Sequence, residues 1–270
     1  MDVSLITIGM NHCNYIRKLY ESLFSRSVSG LEAEYIYVDN CSSDGSLDFL
    51  KQTYPQVHIL QNEQPLGFGA NNNKGFTLAT GRIIGIVNPD IIFTDNALRQ
   101  IVDFIDQSEE QVIVAPELLN PDGSHQYSVR RFLTLKTLVR RLLSGMNDQS
   151  DNLEIRKYLC KDYDWDKIQP IDWSFGAALF MKKETYEKLG GFDERYFLYM
   201  EDEDLCLRAW KNGITVTYLP VAQLIHNHLR DSRHLGKKAL CHIKSTFTFF
   251  KLHGLNVMRE QLQPNEKKVS

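Results

Sequence analysis

Short apolar segments alternate with helix-spaced segments through the first third of this chain, a pattern that only an α/β sheet sandwich accommodates. Residues 3–8 are apolar and strand-like, and residues 15–24 carry Ile16, Leu19, Tyr20 and Leu23 at helical spacing. Residues 35–38 form a second apolar run, followed by a helix through Leu47 and Leu50, a strand over 57–60, a helix over 67–79 and a buried strand over 83–87. The resulting sheet is expected to be mostly parallel, and ligands of such sheets bind beyond the carboxyl ends of the strands. The polar loops after Ile8, Val38 and Val87 all fall on that edge. The first of them brings Thr7, Gly9 and Asn11 there as donor-side candidates.

The second half is mixed. It holds a strand over 112–115, a turn at Asn120-Pro121-Asp122-Gly123, a basic amphipathic helix over 133–143, and a strand over 213–219 ending at Pro220. Residues 145–169 are polar and weakly periodic, which predicts a mobile insertion. A final helix over 235–252 carries Phe247, Phe249 and Phe250, and the tail from Gln261 is expected to be disordered. A domain over 1–228 is therefore expected, divided near residue 115, with the last helix and tail appended over 229–270.

The chain has 270 residues, 43% of them hydrophobic, enough for a substantial core. A formal charge of −3 excludes nonspecific nucleic-acid binding, which requires a strong basic field. No stretch reads as a leader or approaches the ~20 apolar residues of a membrane helix. The five cysteines are scattered without a Cys-x-x-Cys pair, pointing to a reducing compartment and no zinc site. These features predict a cytoplasmic protein.

Four segments carry candidate chemistry. The aromatic run Phe197-Leu198-Tyr199-Met200 ends in Glu201-Asp202-Glu203-Asp204, after which Leu205, Leu207, Ala209 and Trp210 resume helical spacing until Gly213. A first helical turn favours an acid or two, through its unpaired N–H groups and dipole. Four adjacent acids repel one another, so chemistry is indicated for at least one. Asp39 begins the polar loop Asp39-Asn40-Cys41-Ser42-Ser43-Asp44-Gly45. Such a loop can simply satisfy its own backbone, or Asp39 can accept the N3–H of uracil or thymine with Asn40 and Ser42 beside it. Gly67 to Gly75, with Asn72, Asn73 and Lys74, fits neither the dinucleotide nor the P-loop pattern, yet its small residues allow close approach of a nucleotide. Finally, Asn88-Pro89-Asp90 closes a buried strand, and His226 and His228 face one way in extended chain, a spacing that suits a metal.

Trp173-Ser174-Phe175-Gly176-Ala177-Ala178, then Gly190-Gly191-Phe192-Asp193-Glu194 and the acidic run, strongly resemble the second half of family-2 glycosyltransferases, particularly rhamnosyltransferase-like members. The resemblance extends from about residue 3 to residue 226 and implies a GT-A fold. In that family the Asp of the Glu-Asp pair is the catalytic base, which maps onto Asp202, with Glu201 beside it. The loop aspartate contacts the base of the donor nucleotide, mapping onto Asp39. Asn88-Pro89-Asp90 stands where GT-A enzymes carry a metal-binding Asp-x-Asp, and a metal-ligating histidine maps onto His226. Asn88 in place of Asp implies weaker binding of the cation, Mn²⁺ or Mg²⁺, with imidazole favouring Mn²⁺. Asn72-Asn73 replaces the common Arg-Asn, so an arginine–phosphate contact is missing here.

The resemblance thus implies an inverting transferase moving a sugar from a UDP- or dTDP-linked donor to a glycan or lipid-linked saccharide. A non-catalytic nucleotide-sugar binder on the same fold is the alternative, and a sugar-nucleotide pyrophosphorylase is disfavoured by the lack of a basic, glycine-rich triphosphate loop near the N-terminus. A lipid-linked acceptor would bring the active face to the inner surface of the cell membrane. Arg130, Arg131, Lys136, Arg140 and Arg141, set among Phe132, Leu133, Leu135, Leu138, Val139, Leu142 and Leu143, would then lie on anionic headgroups. The competing expectation is a helix packed on the domain with its arginines in water.

Overall fold

The computed structural model describes residues 1–27, 30–227 and 236–262. His228 and the chain beyond residue 262 lie outside the described residues. The first half follows the alternation of the sequence. Strands β1 (Val3–Gly9), β2 (Ala33–Asp39), β3 (His58–Gln61) and β4 (Ile83–Val87) are parallel, joined through helices α1 (Cys13–Ser22), α2 (Ser46–Thr53) and α3 (Phe68–Phe76). After β5 (Ile91–Phe93) and α4 (Ala97–Gln107) come β6 (Val112–Leu119), β7 (Val129–Arg130), α5 (Leu135–Leu143) and α6 (Leu153–Tyr158). The chain continues through β8 (Gln169–Pro170), β9 (Trp173–Ser174), β10 (Ala178–Lys182), α7 (Lys183–Leu189), α8 (Glu201–Lys211), β11 (Thr215–His226) and α9 (Lys237–His253).

The main sheet runs β3-β2-β1-β4-β10-β6-β11-β5, with β8 on β11, while β7 and β9 form a separate pair. It is parallel as far as β4 and becomes mixed where β10 enters antiparallel between β4 and β6. Because β6 and β11 run parallel, the carboxyl ends of β1, β2, β4 and β11 all reach one edge, where β10 begins. Central strands are buried on both faces, so they read as continuous apolar runs. Val3, Leu5, Ile83 and Phe180 face α1 and α4, whereas Ile6, Ile84, Ile86 and Leu179 face the side of α8. Each such residue, essentially without exposure, contributes ~1.5–3 kcal/mol of hydrophobic stabilisation.

Two expectations change. The strand predicted to end at residue 219 passes through Pro220 with a register shift between Leu219 and Gln223, and His226 is its last residue. A proline is tolerated at such an irregularity, where a ladder hydrogen bond is already lost. The supposed mobile insertion is folded: α6 inserts Ile155, and Leu159 and Cys160 follow it into the core. The last helix is fastened to the domain, since His253 Nε2 lies 2.7 Å from Asp204 Oδ1 and Ser245 Oγ donates to the Leu198 carbonyl at 2.8 Å.

Candidate active site

The carboxyl ends of β1 and β2 pair Gly9 with Asp39 in register, and Thr7 is buried just before them. Asp39 is fully buried; its Oδ2 accepts from the Ser42 amide at 3.1 Å, and its Oδ1 has no hydrogen-bond partner. A buried acceptor left open is costly within a fold, and an N–H from a ligand is what would satisfy it. Asn11, at φ +59°, locks the two loops together. Its Oδ1 accepts from the Ser43 amide at 2.8 Å and its own amide donates to Ser42 Oγ at 3.0 Å.

Behind this mouth lies a network of asparagines. Asn40 Oδ1 accepts from Asn62 Nδ2 (2.9 Å) and the Leu66 amide (2.8 Å), and its Nδ2 donates to the Leu66 carbonyl. Lys74 Nζ donates to Asn62 Oδ1 at 2.7 Å. Asn73 Oδ1 accepts from the Phe192 amide (2.9 Å) and Tyr186 hydroxyl (2.7 Å), while Nδ2 donates to the Phe192 carbonyl and Glu194. Asn40, Asn73 and Lys74, expected from sequence on the donor, thus spend these bonds inside the protein, holding the loop before Gly67 and stapling α3 to the Gly-Phe-Asp-Glu turn. Asn72 differs: it is fully buried and its Oδ1 is without a partner.

Asp90 sits beyond β4, and its carbonyl accepts from the Asn227 amide at 3.0 Å, drawing the end of β11 alongside. Asp90 Oδ1 is buried without a hydrogen bond, 3.5 Å from His226 Nε2. The histidine tautomer is set by Gln126. The Gln126 amide nitrogen donates to Asn120 Oδ1 (3.0 Å) and the His226 carbonyl (3.3 Å), so its Oε1 must accept the His226 Nδ1–H at 2.6 Å. Nε2 then faces the Asp90 side, and it is the nitrogen through which an imidazole in this orientation would ligate a metal. One carboxylate and one imidazole fit a divalent cation that completes its shell from the diphosphate of a donor. Among the described residues no cluster of three or more His, Cys, Asp or Glu could hold a metal alone. Gln126 had no sequence signal, because nothing in its local pattern links it to a residue a hundred positions away.

The acids of α8 divide by environment. Tyr199 and Met200 both adopt left-handed backbone (φ +69°), a conformation that costs non-glycine residues of order 1–3 kcal/mol each. This kink aims the start of α8 and places the Phe197 carbonyl against α3, where it accepts from the Phe68 amide at 2.9 Å. A Cβ on Gly67 would lie 2.7 Å from that carbonyl oxygen, so glycine is required there. Asp204 accepts from Arg208 Nε at 2.7 Å and from His253, and Glu203, fully buried, accepts from the Leu133 amide. Both are spent on structure. Asp202, half-buried, accepts from the Gly176 and Glu203 amides, each at 2.9 Å. Glu201 is buried with Oε2 unpartnered.

Burial, then the Asp202 charge, pushes the Glu201 carboxyl well above its usual range. Asp202 is also raised by burial, but its two backbone N–H donors oppose the shift. The adjacent residues Gly176 and Ala177 connect the two halves of the site: the Gly176 amide reaches Asp202, and the Ala177 carbonyl accepts from the Asn88 amide at 2.8 Å. Asp202 and the Asn88-Pro89-Asp90 turn are therefore held at fixed separation by one loop.

Residues 4–174 match the sequence profile of glycosyl transferase family 2, and residues 156–234 match one described as the N-terminal domain of galactosyltransferase. The N-acetylglucosaminyl-diphospho-decaprenol L-rhamnosyltransferase of Mycobacterium tuberculosis is 28% identical over 79% of this chain and 73% of its own length. Rhamnosyltransferase WbbL of Escherichia coli is 28% identical over 92% of each chain. The fold is that of solved GT-A enzymes. GalNAc-T7, solved with UDP, GalNAc and Mn²⁺, superposes with a TM-score of 0.68 at 13% identity, over 93% of this chain and 48% of that one. The Pyrobaculum calidifontis mannosyltransferase PcManGT, solved with GDP-Man and Mn²⁺, gives 0.56 at 15% identity, over 86% and 58%. With its profile match spanning more than half its length, this chain belongs to glycosyl transferase family 2 and is a glycosyltransferase.

Proposed function

We propose that this glycosyltransferase moves a sugar from a UDP- or dTDP-linked donor to a hydroxyl of a lipid-linked saccharide, with inversion at the anomeric carbon. The contrast within the Glu201–Asp202 pair carries the reading. A buried carboxylate and the half-buried one next to it in the chain, each raising the other's cost of charge, do not both ionise readily. Glu201, with an unpartnered oxygen, keeps the proton, and Asp202, stabilised by two backbone amides, stays ionised. An ionised Asp202 accepts the proton of the acceptor hydroxyl as that oxygen bonds to the anomeric carbon and the bond to the diphosphate breaks.

The open acceptor Asp39 Oδ1 suits the imide N–H of a uracil or thymine ring, and Ser42, Asn11, Thr7, Gly9, Gly67 and Asn72 shape the donor side. Asn88, Asp90 and His226 lie where the donor diphosphate would sit, and Asp90 with His226 would hold the cation. A divalent cation there would neutralise the leaving diphosphate. The lipid-linked acceptor is suggested by the decaprenol-linked substrate in the name of the mycobacterial relative.

The test is transfer from a panel of UDP-, dTDP- and GDP-sugars to a polyprenyl-diphosphate saccharide, with Mn²⁺ or EDTA, and NMR of the product anomer. Transfer from a pyrimidine donor with inverted configuration, abolished by EDTA, supports the reading. A retained configuration, or full activity in EDTA, overturns the mechanism or the cation assignment respectively. Tight donor binding without turnover would favour a nucleotide-sugar binder.

A further inference from the structure

Two helices of this chain carry apolar side chains outward as well as inward, since Phe249 of α9 is in the core while other apolar residues of α9 and α5 stand exposed. On α9, Ser245 and Thr246 are buried, whereas Leu240, Ile243 and Phe247 are 66–71% exposed along one stripe. On α5, Thr137 is buried while Leu142 and Leu143 are 61% and 76% exposed. A helix facing water presents the opposite pattern. The sequence expectation for α5 is altered as well: Arg130, Phe132 and Leu133 are buried and Arg131 is paired with Asp172, which leaves the residues from Leu135 onward for a partner. The two helices are neighbours. The Leu135 amide donates to the Leu255 carbonyl at 2.8 Å, just past the end of α9, and the Arg141 charge acts on His242 within α9.

Charge identifies the occupant. Neither LKTLVRRLL of α5 nor KKALCHIKSTFTFFKLH of α9 contains an acid, in a chain of formal charge −3. Lys136 and Arg141 are paired with Glu154 and Asp148, and Arg140, Lys244 and Lys251 stand exposed beside the apolar stripes. A second copy docked through the same face would set cations against cations. We propose that α5 and α9 together form a docking face for an anionic lipid bilayer, with the aliphatic and Phe247 side chains entering the interface and the lysines and Arg140 on the headgroups. Ser245, on the buried face of α9, is hydrogen-bonded to Leu198 in the segment that aims α8, so docking would hold the active-site domain one helix layer from the bilayer that carries the acceptor. That consequence rests on the lipid-linked acceptor proposed above; the docking face itself does not.

The test is co-sedimentation of the full chain with phosphatidylglycerol-containing and pure phosphatidylcholine vesicles at low and high salt, without donor or acceptor. Binding only to the anionic vesicles, weakened by salt, is expected. Arg140→Gln/Lys244→Gln should lower it about 30-fold, at ~1 kcal/mol per cation. Ile243→Ser/Phe247→Ser should abolish it. Circular dichroism and nucleotide binding verify that the variants fold, and their transfer to a short-chain, water-soluble acceptor should match the parent. Absent binding to anionic vesicles, or binding unchanged in both variants, overturns the proposal. A dimer that Phe247→Ser dissociates would overturn it too, assigning the face to a second copy. Vesicle binding without any transfer would leave docking standing and refute the acceptor reading.

Discussion

Replacing Gln126 by leucine tests the cation site through a residue that touches neither donor nor acceptor in the reading above. The change keeps side-chain bulk but removes three hydrogen bonds: from His226 Nδ1, to Asn120 Oδ1 and to the His226 carbonyl. His226 is buried, so its Nδ1–H loses its acceptor in a place where an unmet donor costs ~1–3 kcal/mol. At ~2–4 °C per kcal/mol for a domain of this size, the melting temperature should fall by roughly 2–12 °C. With the ring no longer held in the Nδ1–H tautomer, Mn²⁺ affinity in the presence of donor nucleotide should weaken ~10–100-fold. Gln126→Glu separates the two effects. A carboxylate still accepts from Nδ1 but cannot donate to Asn120 or the His226 carbonyl, so stability falls while Mn²⁺ affinity stays within a few-fold of the parent. Calorimetric titration of Mn²⁺ with nucleotide present, alongside thermal melts, reads both. Unchanged Mn²⁺ affinity in Gln126→Leu would refute the ligand assignment of His226.

Other perturbations follow from the same geometry. Burial, with the charges of Asp202, Asp172 and Asp204, raises the Glu203 carboxyl well above its usual range. A raised carboxyl destabilises the fold as pH rises from the unfolded value near 4.5 toward the folded one, by up to ~1.4 kcal/mol per pH unit. Glu203→Gln should therefore match the parent in stability at low pH and exceed it increasingly as pH rises; parallel melting curves at pH 4 and 8 would contradict this. Asn73→Ala removes the staple to Tyr186, Phe192 and Glu194 and should cost ~2–4 kcal/mol in chemical denaturation, with nucleotide affinity of the folded protein little changed. A large loss of nucleotide affinity at unchanged stability would return Asn73 to the donor. Asp90→Ala should abolish the Mn²⁺ dependence of nucleotide binding, and a variant that still responds to Mn²⁺ would exclude Asp90 as ligand.

Much of this was legible in the residues. The helix–strand alternation up to Val87 announces the parallel half of the sheet, because buried strands and amphipathic helices write different periods. The four acids announce a helix start, and Asp204 with Arg208 is readable from i, i+4 spacing. What stayed hidden depends on distant contacts. Nothing local distinguishes Glu203, which accepts from Leu133, from Asp202, which accepts from Gly176. The asparagines around Gly67 look like ligand contacts because unsatisfied amides and network amides have the same sequence. Residues 145–169 look unstructured because α6 is too short to display a period, though Ile155 is fully buried.

Single-turnover transfer by Asp202→Asn bears most directly on the chemistry. The amide is isosteric and can still accept from one of the two backbone N–H groups, but it has no basic oxygen to take the hydroxyl proton. Transfer should fall at least ~100-fold, while donor-nucleotide affinity and melting temperature remain near those of the parent. Transfer at close to the parental rate would contradict the assignment and move the base to another carboxylate, with Glu201 the first to examine.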